Sequence, residues 1–94
     1  EIQVPVTRAG TLRNLNIRIG AAGTDSATVT YTVRVNGADT AITVNNNNNA
    51  GAVTLTDSTH TAAVVAGDLV SISITKSGVV TAGQTNIFAS LELA

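Results

Sequence analysis

The chain has no cysteine, methionine or tryptophan, and only one tyrosine, one phenylalanine and one proline in 94 residues. Without cysteine there is neither a disulfide framework nor a thiolate metal site. With aromatics at 2%, a core has to be built from Val, Ile, Leu and Ala. Charge is scarce too: 12% of residues, with a net value of −1, about half the usual charged share. The five Lys and Arg residues are scattered and form no basic stripe to neutralise a phosphate backbone, so nucleic acid is not expected as a partner. No run approaches the ~20 apolar residues of a membrane-spanning helix, and no membrane insertion is expected. No segment sustains apolar residues at i, i+3, i+4 and i+7, so almost no helix is expected. Glu1 in first position, with no leader pattern after it, reads as a processed protein or a domain cut from a longer chain.

What the chain does have is alternation. Val29, Tyr31, Val33 and Val35 alternate with Thr28, Thr30, Thr32 and Arg34, the period-2 pattern of a half-buried strand. Asn36-Gly37 follows, a dipeptide suited to the two positive-φ positions of a type I′ turn. A two-residue turn sets a register in which Val35 faces Ala38, Val33 faces Thr40, Tyr31 faces Ile42 and Val29 faces Val44. On the other face, Arg34 lies opposite Asp39, a cross-strand pair worth ~0.2–1 kcal/mol.

Other strands flank this hairpin. Ile2, Val4 and Val6 alternate around Pro5, whose missing N–H assigns residues 1–7 to a sheet edge or an exchanged arm. Residues 12–19 place Leu15, Ile17 and Ile19 on one face, and Leu12, of the wrong parity, marks a bulge or the strand start. Short strands are expected around Val53–Leu55 and Thr61–Val65, with a turn at Ala66-Gly67-Asp68. Val70, Ile72 and Ile74 alternate with Ser71, Ser73 and Thr75. After a long loop over residues 76–85, the last strand carries Ile87, Ala89, Leu91 and Leu93 on one face. Phe88, Ser90 and Glu92 occupy the other. The expected fold is therefore all-β: one domain over residues 1–94, an antiparallel two-sheet sandwich or jelly roll of about eight short strands.

Site chemistry is sparse. His60 is the only histidine, and Asp57, three residues away on a strand, is expected on the opposite face. A solvated or edge histidine is the reading. Asp25, Asp57 and Asp68 stand beside turns, where aspartate side chains bond turn backbone, and their spacing matches no twelve-residue calcium loop. The hydroxyls lack a partnered base, no Gly-x-Ser-x-Gly elbow occurs, and the glycines make no phosphate cradle. Neither catalytic residues, cofactor nor metal are expected. The run Asn45, Asn46, Asn47, Asn48 and Asn49 is expected as an exposed loop tip, with a surface glycan as the alternative ligand, since amides pair with sugar hydroxyls. Low charge and the absence of disulfide or metal support favour burial against another subunit. The candidate contact residues are Ile2, Val4, Val6, Phe88, Leu91 and Leu93.

Three stretches carry a resemblance: Tyr31-Thr-Val-Arg-Val-Asn-Gly-Ala-Asp-Thr-Ala-Ile-Thr-Val44, Val65-Ala-Gly-Asp-Leu-Val-Ser-Ile-Ser-Ile-Thr75 and Ala89-Ser-Leu-Glu-Leu93. In this order they look like the small jelly-roll domains of phage virion proteins, such as fibres, appendages and capsid decorations. They also resemble trimeric tumour-necrosis-factor-like and complement-head-like domains, including the tips of collagen-like filaments on bacterial spores. The resemblance implies a homotrimer serving as a knob, cap or attachment module, with the sheet holding the first and last strands on the threefold axis. It transfers no site residues, because it lies in turns and alternation. The scarcity of aromatics departs from many members, whose trimer cores are rich in them. Three functions follow as expectations. The first is a non-enzymatic structural module of a virion or extracellular appendage. The second is a receptor- or carbohydrate-binding head. The third is an extracellular filament subunit joined by strand addition to other virion or filament proteins through residues 1–7.

Overall fold

The computed structural model describes residues 3–21, 28–46, 53–77 and 85–94, of which 20, 21, 77 and 85–88 are described by backbone only. Among the described residues there are eight strands: β1 (Val4–Pro5), β2 (Gly10–Ala21), β3 (Thr28–Val35), β4 (Ala38–Asn46), β5 (Val53–Asp57), β6 (Ala62–Val64), β7 (Leu69–Ser77) and β8 (Thr85–Leu93). They form two antiparallel sheets. One runs β1-β7-β3-β4; in the other, β2 is the spine, with β5 and β6 on one side and β8 also paired to it. The expected all-β class and sandwich follow directly from the alternation along β2, β3 and β7. One implication of the resemblance does not hold: β1 and β8, the first and last strands, lie in different sheets.

The core lies between the sheets. Leu12, Leu15, Ile17 and Ile19 of β2 meet Val29, Tyr31 and Val33 of β3 and Ile42 and Val44 of β4, with Val64 at one end. Tyr31 is 1% exposed and stands in for the missing aromatic core. Leu12 and Leu15 are both buried although their spacing is odd. The register between β2 and β8 shifts between Arg13 and Asn16, and Asn14 takes φ 54°. This bulge restores inward parity for both leucines.

The hairpin turns as expected: Asn36 has φ 52° and Gly37 φ 81°, values a Cβ-bearing residue other than Asn or Asp adopts at a cost. Val35 faces Ala38 and Arg34 faces Asp39, as expected, with Nε–Oδ1 at 3.0 Å. Beyond that point the simple register fails. Thr32 pairs with Thr43, Tyr31 with Val44 and Val29 with Asn46, so the expected facing pairs Val33–Thr40, Tyr31–Ile42 and Val29–Val44 are displaced. The cause is local. Thr40 Oγ1 donates to Val33 O at 2.8 Å and accepts from Ile42 N at 3.2 Å. Those bonds hold a two-residue irregularity in β4. Because the slip is two residues, side-chain faces are preserved while the register moves. Ile42 and Val44 stay inside, and Asn46 is drawn in with them at 2% exposure.

Turns are then locked to one another. Asn36 Nδ2 donates to Asp68 Oδ1 at 3.1 Å, Leu69 N donates to Asn36 Oδ1 at 2.9 Å, and Asn36 N donates to Leu69 O at 2.7 Å. Val65 N donates to Asp68 Oδ2 at 2.9 Å, and these bonds hold the Asp68 carboxyl below its ordinary range. The turn at Ala66-Gly67 is thereby fixed against the hairpin tip.

Closure of the sandwich is uneven. Sheet-to-sheet contact runs along β4, which approaches β5, β2 and β6. On the other side stand β1, β7 and β8. Val4 pairs with Val70, Val70 with Val35, and Ile74 with Tyr31, so Val4 and Ile74 occupy core-facing positions. They are nevertheless 59% and 51% exposed. Ala89 of β8, opposite the buried Ile17, is exposed as well.

Candidate functional site

Asp57 ends β5 opposite Leu15 and is buried at 6% exposure. The chain then leaves the sheet through Ser58, Thr59 and His60. Asp57 Oδ1 accepts from Thr59 N at 3.1 Å, Thr59 Oγ1 at 3.2 Å and His60 N at 3.2 Å. Its Oδ2 accepts from Thr43 N of β4 at 3.0 Å. It also accepts from His60 Nδ1 at 2.9 Å. The expectation that Asp57 and His60 lie on opposite faces is therefore corrected. An Asp followed two residues on by Thr makes a side-chain turn, and after such a turn strand parity no longer applies. The solvated reading of His60 stands, with its side chain 53% exposed.

Burial pushes the Asp57 carboxyl up, but the bonds from Thr43, His60 and Thr59 outweigh it and hold it well below the usual carboxylate range. An ionised carboxylate only accepts, so His60 Nδ1 carries the proton of this contact. His60, Asp57, Thr56, Leu55, Thr43, Val44 and Asn45 line a shallow basin of about 360 Å³. This arrangement can accept hydrogen bonds from hydroxyl groups. It is not a nucleophilic triad, because the Thr59 hydroxyl lies 3.4 Å from Nδ1, the nitrogen already committed to Asp57. Among the described residues no three His, Cys, Asp or Glu side chains converge on a metal position.

The asparagine run divides. Asn45 is exposed on β4 and accepts from Thr30 Oγ1 at 2.7 Å, whereas Asn46 is buried. Both belong to the strand, which corrects the loop-tip expectation for these two positions; Asn47, Asn48 and Asn49 lie outside the described residues. Of the expected subunit-contact residues, Ile2 also lies outside them, and only the backbone of Phe88 is described, opposite Arg18. Val4 is exposed, while Val6, Leu91 and Leu93 are half-buried against the core. Val6 N donates to Asp68 O and its carbonyl accepts from Gly67 N, both at 2.9 Å, so the described part of the 1–7 arm is tied to its own chain.

A second polar cluster sits at the β2 bulge. Glu92 Oε2 accepts from Arg13 Nε at 2.6 Å and Asn14 Nδ2 at 2.7 Å. The Arg13 and Asn14 bonds hold this carboxyl below its ordinary range. Nearby, Arg8 Nη2 donates to Leu93 O at 3.0 Å.

No protein-family model matches the chain, no curated protein matches it, and no solved structure matches it. Among the described residues the geometry defines an antiparallel β-sandwich, bridged between its sheets on the β4–β5 side by the Thr43–Asp57 bond, with Val4, Ile74 and Ala89 exposed on the β1–β7–β8 side.

Proposed function

We propose that this chain is a non-enzymatic structural module of a virion or extracellular appendage, folded as a jelly roll and assembling as a homo-oligomer, with a trimer as the expected stoichiometry. The jelly-roll reading is supported by the order of pairing. β3 pairs with β4, β2 with β5 and β6, and β1 with β7. Each pair encloses the previous one along the chain, as in an antiparallel ribbon folded back on itself. Rolling such a ribbon into a sandwich sets β7 beside β3 and β8 beside β2, the pairings present here.

One observation carries the assembly reading: Val4, Ile74 and Ala89 hold core-facing register and yet are exposed along the β1–β7–β8 side. Inward-facing apolar side chains left exposed in this way are the positions a subunit contact would cover. The face of the hairpin sheet turned away from the core suits a packed particle too. Its Thr30–Asn45 and Thr32–Thr43 pairs satisfy one another at 2.7 and 3.2 Å. The setting in a virion or appendage rests on the resemblance of the hairpin, the 65–75 segment and the terminal strand. Light scattering on the purified chain tests the reading. A defined oligomer, lost in Ile74→Lys, is expected; a monomer at all concentrations would overturn it.

A receptor- or carbohydrate-binding head is the second reading, favoured by the basin in which His60, Thr43, Thr56 and Asn45 gather polar groups beside the Leu55 wall. A glycan array comparing the chain with His60→Ala tests it, and glycan binding unaffected by that substitution would sink the basin as its site. Arm exchange through residues 1–7 has less support, given the bonds of Val6 to its own chain.

A further inference from the structure

We propose that Asn36 is a hydrolytic modification site, guarded by the neighbouring turn, whose conversion to a carboxylate detaches the hairpin tip from that turn and loosens β1. Asn36 is the one asparagine of the sequence followed by glycine. Asparagine side chains are thermolabile, and a following glycine, having no Cβ, leaves its amide nitrogen open to approach. Both residues are exposed at the hairpin tip, within reach of the water that the reaction consumes.

The chemistry needs no other reactant. The Gly37 nitrogen gives up its proton to solvent and attacks Asn36 Cγ. The Cγ–Nδ2 bond breaks, ammonia leaves with a proton from solvent, and a five-membered succinimide is formed. Water then adds to one of its two carbonyl carbons. Addition at Cγ breaks the new Cγ–N bond and leaves an aspartate at position 36. Addition at the main-chain carbon breaks the original peptide bond and leaves an isoaspartate, with the chain running through Cγ. Either route consumes one water, releases one ammonium ion and puts a carboxylate where the amide was.

Guard and consequence share the same bonds. Asn36 Nδ2 donates to Asp68 Oδ1 at 3.1 Å, and Asn36 Oδ1 accepts from Leu69 N at 2.9 Å. Closing the succinimide turns the amide back onto its own chain, which two bonds to another segment oppose. Conversion therefore waits for the tip to open locally. Afterwards position 36 has no side-chain N–H to offer Asp68. That carboxyl is held below its ordinary range by the Val65 amide and by Asn36 itself, so two carboxylates then stand where one bond was, and like charges repel. Isoaspartate also adds a carbon to the backbone of a two-residue turn whose twist matches its strands.

The effect reaches β1 through the same residues. Val6 N donates to Asp68 O and Val6 O accepts from Gly67 N, both at 2.9 Å. Val4 and Pro5 pair with Val70 and Leu69. Asp68 and Leu69, which Asn36 holds, are thus among the residues that hold β1, a strand of only 2 residues.

The test incubates the whole 94-residue chain, labelled with nitrogen-15, at mildly alkaline pH beside the same chain unfolded in urea. Conversion at position 36 is read by peptide mass mapping and by labelling with an isoaspartyl methyltransferase. The folded chain is expected to convert at least ~10-fold more slowly than the unfolded one. Asp68→Ala should close most of that gap while folded and leave the unfolded rate unchanged. In the aged chain, and in Asn36→Asp, the Val6 and Gly67 amides should exchange ~10-fold faster, with β2–β5 amides unchanged. No folded-state conversion over ~100 half-lives of the unfolded reaction overturns the modification site. Equal folded and unfolded rates overturn the guard, as does a folded Asp68→Ala chain that converts no faster than the native one. Unchanged exchange at Val6 and Gly67 after conversion overturns the loosening of β1. The comparison of folded with unfolded chain and the exchange of the aged chain need no variant, so they decide the matter even where Asp68→Ala does not fold.

Discussion

Val44 and Ile74 flank Tyr31 in a single cross-strand row on one face of one sheet. Val44 is 6% exposed and Ile74 is 51% exposed. Both are aliphatic, both sit in strands of 9 residues, and both point toward the core. Their difference comes from what covers them. On the β4 side the second sheet approaches, and Asp57 reaches across to the Thr43 amide at 3.0 Å. That bond satisfies a donor of an edge strand, which in a dry environment would otherwise cost ~1–3 kcal/mol. On the β7 side β1 pairs through Val4 and Pro5 only, and no equivalent bridge is found among the described residues. The comparison teaches that an inward position in a strand is only a chance to be buried. Coverage by the opposite layer decides the outcome.

The largest break in this comparison should come from the closed side. Ile42→Ala removes a side chain with no exposure and is expected to cost ~2–5 kcal/mol in urea unfolding. Asp57→Ala comes next, at ~2–3 kcal/mol, because it orphans the Thr43 amide and frees the turn that holds His60. Asp57 also gives the molecule an acid limit. Its folded-state pKa is lowered, so its contribution is fully present above the unfolded value near ~4 and is lost as pH falls through the folded one. In Asp57→Asn the loss of stability below pH ~4 should be shallower than in the native chain. A slope as steep as before would assign the acid sensitivity to other groups.

On the open side the effect on folding should be small. Ile74→Ser gives up only a half-buried side chain, worth ~1 kcal/mol or less, while self-association measured by sedimentation should weaken clearly. Smallest of all is the Arg34–Asp39 pair, whose side chains are 30% and 71% exposed. A double-mutant cycle with Arg34→Ala and Asp39→Ala should return ~0.2–1 kcal/mol.

Much of this was legible in the sequence. Alternation places β2, β3, β7 and β8, and Asn36-Gly37 fixes the turn and the Arg34–Asp39 pair beside it. The register beyond was not legible, because Thr40 bonds backbone through its hydroxyl and absorbs two residues without disturbing the apolar pattern. Parity survives such a slip, so no hydrophobic signal records it. Burial of Asn46 follows from the same slip. The Asp57–His60 contact was hidden by treating residues 57–60 as strand, although Asp-Ser-Thr is itself a turn signature. Uneven closure was out of reach for another reason. Ile74 and Val44 carry equivalent local patterns, and only the arrangement of the two sheets separates them.

Because the chain has no cysteine, a single introduced thiol reports on that separation. Val44→Cys and Ile74→Cys would be compared for their rates of reaction with a water-soluble disulfide reagent in dilute native solution. In the dissociated chain the Ile74→Cys thiol should react close to the rate of an unfolded control, and Val44→Cys more than ~100-fold slower, because its burial must first be undone by opening. Equal rates at the two positions would contradict a sandwich closed on one side and open on the other.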